Sequence, residues 1–157
     1  MRNDSKILLV GAILWGAFAL KVAVAGENDA DPGAVELLNK LMTALQEPDE
    51  AKSIQAVLPL LHKSLLNADG TDLSRDVKQF SFKKAHGGAP LYANPVKVTR
   101  VRETPQTEVG FKATAEGGQV ADYFVAKKEG KAGMPAPVKI FFPAGGGAPK
   151  ILYLGSL

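Results

Sequence analysis

The sequence contains no cysteine and only two histidines in 157 residues. Without cysteine the chain has no disulfide framework, no thiolate metal ligand, no cysteine nucleophile and no attachment point for a bacterial lipid anchor. The single tryptophan, Trp15, lies in the first 25 residues, and aromatic residues make up only 7% of the chain. Any binding surface beyond residue 25 therefore has no tryptophan anchor.

Catalytic and cofactor motifs are also missing. No serine lies in a Gly-x-Ser-x-Gly turn, and the glycines at 145–147 lack the Lys-Ser/Thr ending of a phosphate-binding loop. His62 and His86 have no carboxylate or second histidine at the spacing of metal ligands. The sequence therefore predicts no metal and no cofactor, and it favours a binding protein over an enzyme.

The first 25 residues have the layout of a signal peptide. Arg2 and Lys6 precede an uncharged apolar run over 7–20, and small residues follow up to Ala23-Val24-Ala25. This order predicts cleavage after Ala25 and export to the periplasm or the medium. The alternative is an uncleaved anchor in the inner membrane, because 7–25 is long enough to span a bilayer if its one lysine reaches the headgroups.

Charge is distributed unevenly along the chain that follows the leader. The net charge of +3 falls to +1 when residues 1–25 are removed, because three basic side chains and one acidic side chain leave with them. Residues 26–50 then hold seven acids and one base, whereas residues 51–157 hold fifteen bases and eight acids. The basic portion either presents a face to anionic partners or forms solvated faces of one nearly neutral domain. Export argues against nucleic acid and leaves a protein or an envelope polymer as the expected partner.

Helical patterns come first in the exported portion, after a polar and flexible tail at 26–31. Asp31 and Pro32 provide an N-cap and a first helical residue, and apolar residues then recur at helical spacing. The pattern predicts one helix over about 32–46. It predicts a second helix from Pro48, with an apolar stripe that continues to Leu65 and a bend at Pro59.

The remaining sequence alternates as strands do. Phe80 and Phe82 share a face of the first predicted strand, Val101 falls out of step in the second as at a bulge, and Gly117-Gly118 predicts a two-residue turn between the third and fourth. The six predicted strands cover 79–83, 96–103, 109–115, 120–126, 138–142 and 150–154. The expected fold is α+β: a single domain over 32–157 with two N-terminal helices packed on a curved antiparallel sheet of five to six strands.

This order of elements resembles the nuclear-transport-factor-2-like superfamily, the conical α+β roll that includes ketosteroid isomerase. The resemblance covers 31–155 and is carried by the helical pair, the paired strands 109–115 and 120–126, and the closing strands VKIFF and KILYL. It implies a sheet curled around a pocket under the helices, where enzymatic members place an Asp, Tyr or His. The sequence departs from the superfamily because it shows no clear third helix between Leu66 and Phe80. A cystatin-like helix and meander is the rival architecture.

Asp122 is the most unusual residue of the predicted strands, because it shares a face with apolar neighbours. If that face lined a pocket, burial would raise the pKa of Asp122 and allow its carboxylate to abstract a proton. Tyr123, on the other face, is predicted to be a core or rim aromatic. The alternative is that Tyr123 and its neighbours form the buried face and that Asp122 faces water or pairs with Lys112 or Arg100.

Arg100 and Arg102 lie two residues apart on a predicted strand and therefore on one face. Two guanidinium groups in this position can bind a carboxylate or a phosphate, or they can form a solvated row that discourages edge-to-edge aggregation. Three functional hypotheses follow. The first is an exported binding or accessory domain without enzymatic activity. The second is a cofactor-free acid–base enzyme of the ketosteroid-isomerase type that uses Asp122 with Tyr123 or a histidine. The third is a membrane-tethered subunit of an envelope complex.

Overall fold

The computed structural model describes residues 24–25, 30–110 and 115–157. Within these ranges the helical elements are α1 (Pro32–Leu45), α2 (Glu50–Val57), a π-helix (Val77–Phe82) that continues into α3 (Lys83–Gly88), and short 3-10 turns at Leu58–Leu60, Lys63–Leu65 and Ala89–Leu91. The strands are β1 (Val24–Ala25), β2 (Val98–Thr104), β3 (Glu108–Val109), β4 (Glu116–Val125), β5 (Ala136–Pro143) and β6 (Lys150–Tyr153). The predicted α+β class is confirmed.

The sheet is open and antiparallel, in the order β1-β2-β4-β5-β6, and β3 pairs with the first residues of β4. The helices pack against one face of the sheet, where Tyr123 and Val125 of β4 and Ile140 of β5 join the buried side chains of α1. A smaller apolar cluster of Val109, Val120 and Phe141 lies apart from this core. Because side chains alternate along a strand, Val120, Asp122 and Phe124 lie on the face opposite the helices, which we call the outer face.

Local sequence explains where α1 and α2 begin. The Asp31 carboxylate accepts a hydrogen bond from the Ala34 N–H at 2.9 Å, and the Asp49 carboxylate accepts from the Ala51 and Lys52 N–H groups. Each cap satisfies backbone donors that a helix start otherwise leaves open. The helix predicted over 32–46 is therefore confirmed within one residue.

The predicted continuation of the second helix to Leu65 is wrong. α2 ends at Val57, and the chain passes through a 3-10 turn and becomes extended at Leu61. Pro59 has no backbone N–H to continue the α-helical hydrogen bonds, so the chain passes into a 3-10 turn where a bend was expected. His62 then donates its N–H to the Ile151 carbonyl at 2.8 Å, which attaches this segment to the edge of β6.

The predicted strand at 79–83 is also wrong, because Val77–Phe82 forms a π-helix. Phe82 is fully buried, whereas Phe80 is 64% exposed, so the two rings do not share a face. The interval of five residues from Val77 to Phe82 matches the wider turn of a π-helix. Two alternating aromatic residues were too short a pattern to distinguish a strand from this geometry.

Gly117 and Gly118 form no turn, contrary to expectation. Both belong to β4, where Gly117 pairs with Glu108 and Gly118 pairs with Pro143. A Cβ added at Gly118 would lie 2.8 Å from Cζ of Phe141 and closer still to the Phe142 carbonyl oxygen. Glycine is therefore required here by a close approach of the neighbouring chain.

In the predicted strand 109–115, Val109 lies in β3 and Ala115 precedes β4, while 111–114 lie outside the described residues.

The remaining strands follow the sequence pattern closely. β5 and β6 contain the predicted strands 138–142 and 150–154, except that β6 ends at Tyr153. The register of β2 on β4 shifts between Val98 and Arg100, one residue before the expected irregularity at Val101. Residues 1–23 and 26–29, which carry most of the predicted leader and tail, lie outside the described part of the chain.

Candidate functional site

Asp122 lies at the centre of a charged row on the outer face. Its neighbours across the sheet are Arg102 on β2 and Lys139 on β5, both in direct register. Arg102 donates to Oδ2 of Asp122 at 2.7 and 3.2 Å, and the Lys139 ammonium lies 2.9 Å from Oδ1. Both carboxylate oxygens of Asp122, whose side chain is 5% exposed, are therefore engaged by cations.

These contacts set the ionisation of Asp122. Burial raises the pKa of this carboxyl, but the hydrogen bonds and charges of Arg102 and Lys139 outweigh burial and hold the pKa below its ordinary value. The raised pKa expected of a base in an apolar pocket is not found. The partners also differ from the expected ones, because Arg100 points to another group and Lys112 lies outside the described residues.

The structure does not bring Tyr123 together with Asp122. Tyr123 is buried in the main core on the helix side of the sheet, with its ring 6.3 Å from that of Phe142. Burial raises the pKa of the Tyr123 hydroxyl, so it stays protonated near neutral pH. Asp122 and Tyr123 therefore lie on opposite faces and share no site.

Arg100 forms a separate surface on the outer face. Its guanidinium carbon lies 3.9 Å from the centroid of the Phe124 ring, and that of Arg102 lies 5.6 Å from the same centroid. Met134 beside it is 84% exposed. We call this the Arg100 surface, and it surrounds a shallow cavity of about 250 Å³ lined by Thr99, Arg100, Phe124, Met134 and Pro135.

His62 occupies a second polar site, at the point where the chain joins the edge of β6. The residue is only 3% exposed, and its ring meets the Phe141 ring edge-on with centroids 5.2 Å apart. Nδ1 lies 2.8 Å from the Ser64 hydroxyl oxygen and accepts the Ser64 N–H at 3.2 Å. Because the backbone N–H can only donate, we assign the proton of the neutral ring to Nε2.

The Nε2–H group of His62 lies nearest to the Glu116 carboxylate. Oε2 of Glu116 is 3.6 Å from Nε2, which is longer than an ordinary hydrogen bond. Burial lowers the pKa of His62 more than Glu116 raises it, so the ring is neutral near pH 7.

Two adjoining cavities of about 620 and 750 Å³ share His62 as a lining residue. One wall is the segment 61–70, and the other is formed by Gly110 and Glu116 at the two ends of the β3–β4 connection. Lys150 lies at the rim and donates to the Pro59 carbonyl at 2.8 Å, while Lys63 pairs with Glu116. We call this region the His62 cleft.

Ser64, His62 and Glu116 follow the order of a nucleophile, a base and an orienting carboxylate. The backbone N–H of Ser64, however, points at Nδ1, the nitrogen that would have to take the serine proton. A protonated Nδ1 would face this donor, which opposes a general-base role. The geometry instead equips His62 to donate a hydrogen bond through Nε2.

Sequence reasoning placed His62 within a helix and so missed this cleft. The contact between His62 and Ser64 forms only because the helix ends before Pro59, and Glu116 reaches the site from 54 residues away through the fold. A proline followed by His-x-Ser was the one local signal available. His86 is structural: its Nε2 lies 2.8 Å from the Glu47 carbonyl oxygen, and its ring stacks on Phe82.

A search for metal sites in 24–25, 30–110 and 115–157 finds no group of three possible ligands. The helices described here include none that is both long and apolar enough to cross a bilayer. Comparison with known protein families, with curated proteins and with solved structures gives no match. Inferences about function therefore depend on the geometry of the Arg100 surface and of the His62 cleft.

Proposed function

We propose that the chain is a small exported domain that acts as a binding or accessory module, with an acidic protein or envelope polymer as its partner. The observation that carries this proposal is the Arg100 surface. A guanidinium stacked on an aromatic ring, next to an exposed methionine, combines a fixed cation with adaptable apolar area. Arginine and methionine are enriched in protein interfaces.

The charge of the outer face supports an acidic partner. Arg100, Arg102 and Lys139 bring three cations to this face, and Asp122 compensates one of them. Arg102 and Lys139 are committed to the carboxylate, so Arg100 is the cation most available to a ligand. The acid–base alternative requires an Asp122 oxygen free to take a proton, whereas both oxygens hold cations.

Export remains part of the proposal and is supported by the leader-like sequence over 1–25. In the structure β1 pairs Val24 with Arg102 and Ala25 with Val101. Cleavage after Ala25 would remove this strand and leave β2 at the edge of the sheet. The resemblance to the nuclear-transport-factor-2-like superfamily is likewise a proposal, supported by two N-terminal helices that pack on an antiparallel sheet.

A pull-down from a native envelope extract tests the proposed function. We expect the immobilised wild-type domain to retain a partner that Arg100→Ala fails to retain, and we expect salt to weaken retention because the contact is electrostatic. Arg75→Ala is the matched control, since Arg75 is also an exposed arginine. Equal retention by both variants would contradict a role for the Arg100 surface.

The compartment is tested by the intact mass of the protein recovered from its native host. Cleavage after Ala25 predicts a chain that begins at Gly26 and shows no tryptophan fluorescence, because Trp15 leaves with the leader. A full-length mass in the membrane fraction would support the tethered-subunit alternative instead.

A further inference from the structure

The strand β2 forms one side of the sheet apart from the short strand β1. β1 pairs with it antiparallel, with Val24 opposite Arg102 and Ala25 opposite Val101. This pairing shows that the edge of β2 accepts an added antiparallel strand. Cleavage after Ala25 would free the N–H and C=O groups that β1 now covers, and a strand from another molecule can then take its place.

The opposite edge of the sheet is partly covered by the chain itself. His62 donates its backbone N–H to the Ile151 carbonyl at 2.8 Å, and Leu61 forms a parallel bridge with Ile151. Ile151 lies within the four residues of β6, so this contact occupies much of that short strand. β2 is therefore the edge better suited to a partner strand.

The side chains of β2 indicate which strand fits. Arg100 and Arg102 lie on the outer face beside the Phe124 ring. Arg100 stacks the flat side of its guanidinium on this ring, which leaves the N–H groups at its rim for a ligand. Arg102 donates to Asp122 through Nε and one terminal nitrogen, so it uses two of its five N–H groups there. The edge thus presents two cations at alternate positions.

An added strand meets these cations with every second residue. Continued in the register of β1, its residue opposite Arg102 is followed two residues later by its residue opposite Arg100. Both lie on the outer face, because side chains two apart share a face of a strand. Opposite charges on directly opposed residues stabilise a strand pair. The fitting strand therefore carries an acidic residue at every second position.

Other occupants fit this edge less well. Two copies of β2 paired antiparallel about Val101 would place arginine opposite arginine on the outer face, which destabilises the pair. A polysaccharide has no regularly spaced main-chain N–H and C=O groups for an edge strand to pair with. An acidic protein segment supplies both the charge and the main chain.

We propose that β2 binds an extended acidic segment of a partner protein as an added antiparallel strand, with carboxylates at alternate positions paired to Arg100 and Arg102. The inference rests on the proposed function, because it requires an acidic partner and a chain from which β1 has been removed. It adds that the partner is a protein and that main-chain hydrogen bonds hold it to the sheet.

The test uses the chain recovered from its native host and three short synthetic peptides of equal charge. The first alternates glutamate with valine, the second is the same peptide with N-methyl groups on the amides that would face β2, and the third has its glutamates grouped at one end. We expect the alternating peptide to bind with a Kd on the order of 100 μM or tighter in fluorescence anisotropy. It should also slow hydrogen exchange of the β2 amides that point away from β4.

The other peptides and two variants separate main-chain pairing from charge. The N-methylated peptide should bind at least about tenfold more weakly, because it cannot donate to β2, and the grouped peptide should also bind more weakly. Arg100→Ala should weaken binding of the alternating peptide by about fivefold or more. Arg75→Ala, at another exposed arginine, is the matched control and should bind as the wild type does. Thermal unfolding of both variants confirms that the fold is retained.

The outcomes distinguish this inference from the proposed function. Equal affinity of all three peptides would overturn strand addition and leave the acidic partner in place. Absence of peptide binding, with an envelope partner still retained through Arg100, would also overturn strand addition alone. A chain that dimerises in sedimentation and protects its β2 amides without peptide would assign the edge to a second copy. Retention that does not depend on Arg100 would instead contradict the proposed function.

Discussion

Asp122 and His62 are both buried polar side chains on the outer side of the sheet, yet their surroundings differ. Asp122 has two cations in register with it, and each carboxylate oxygen has a partner. His62 has one nitrogen paired with Ser64, and its other nitrogen has only a long contact of 3.6 Å with the Glu116 carboxylate. The difference teaches that the short contacts of Asp122 stabilise the fold more than the long contact of His62 does.

The largest effect is expected at Gly118 of β4, the strand that also carries Asp122. Gly118→Ala places a methyl group against Phe141, the ring that supports His62, and should destabilise the domain by about 3 kcal/mol. Gly117→Ala is the matched control, because no atom lies within 4 Å of its added Cβ. Urea unfolding measures both. Equal stability of the two variants would show that both the Phe141 ring and the backbone at Phe142 shift aside without cost.

Removal of the Asp122 carboxylate should have the next largest effect. Asp122→Ala leaves Arg102 and Lys139 facing each other without their anion, and we expect a loss of about 2 kcal/mol. The loss is smaller than for a fully buried pair because Arg102 is 53% exposed and can turn to water. Glu129→Ala, on an exposed loop, should change the unfolding free energy little. If Asp122→Ala has the same unfolding free energy as the wild type, the charged row does not stabilise the fold.

The two regions should also lose stability in different pH ranges. The folded-state pKa of His62 is lowered from an ordinary value of 6.5, so its contribution is present above pH 6.5 and is lost as the pH falls below that value. The folded-state pKa of Asp122 is lowered from 3.8, so its contribution is lost only below about pH 4. Unfolding free energies measured from pH 7 to 3 should show both declines.

Two variants identify the residue that causes the loss of stability in each pH range. His62→Phe should flatten the decline that begins near pH 6.5 and leave the acid range intact. Asp122→Ala should flatten the decline in unfolding free energy below about pH 4 and leave the decline near pH 6.5 intact. A decline near pH 6.5 that persists in His62→Phe would contradict the assignment of this range to His62.

His62→Phe should have the smallest effect on stability at pH 7. The variant loses the cap on Ser64, which costs about 1 kcal/mol, and beyond that it loses only the long contact between Nε2 and Glu116. We therefore expect the unfolding free energy to stay within about 1 kcal/mol of the wild type. A loss comparable to that of Asp122→Ala would mean that His62, too, is satisfied within the fold.

The fold was predictable from sequence where a pattern is long or carries its own cap. Asp31 and Pro32 fixed the start of α1, and alternation located β5 and β6. The errors lie where a short pattern was the only guide. Two phenylalanines were assigned to a strand and lie in a π-helix, and a Gly-Gly pair assigned to a turn lies in β4.

The candidate sites were less predictable, because their contacts span the sheet. Asp122 was identified as unusual, but its partners Arg102 and Lys139 depend on the register of three strands. His62 required both a helix that ends early and a carboxylate from β4. Composition and spacing do not reveal such contacts, which arise only after the strands pair.

Val109 connects the smaller apolar cluster to the geometry of the cleft. Buried against Val120 and Phe141, it fixes β3, whose next residue, Gly110, forms part of one wall. The facing wall is tied independently to β6 and to Leu73 by isolated bridges. The packing of Val109 against Val120 and Phe141 therefore anchors the end of β3 from which Gly110 extends into the wall of the His62 cleft.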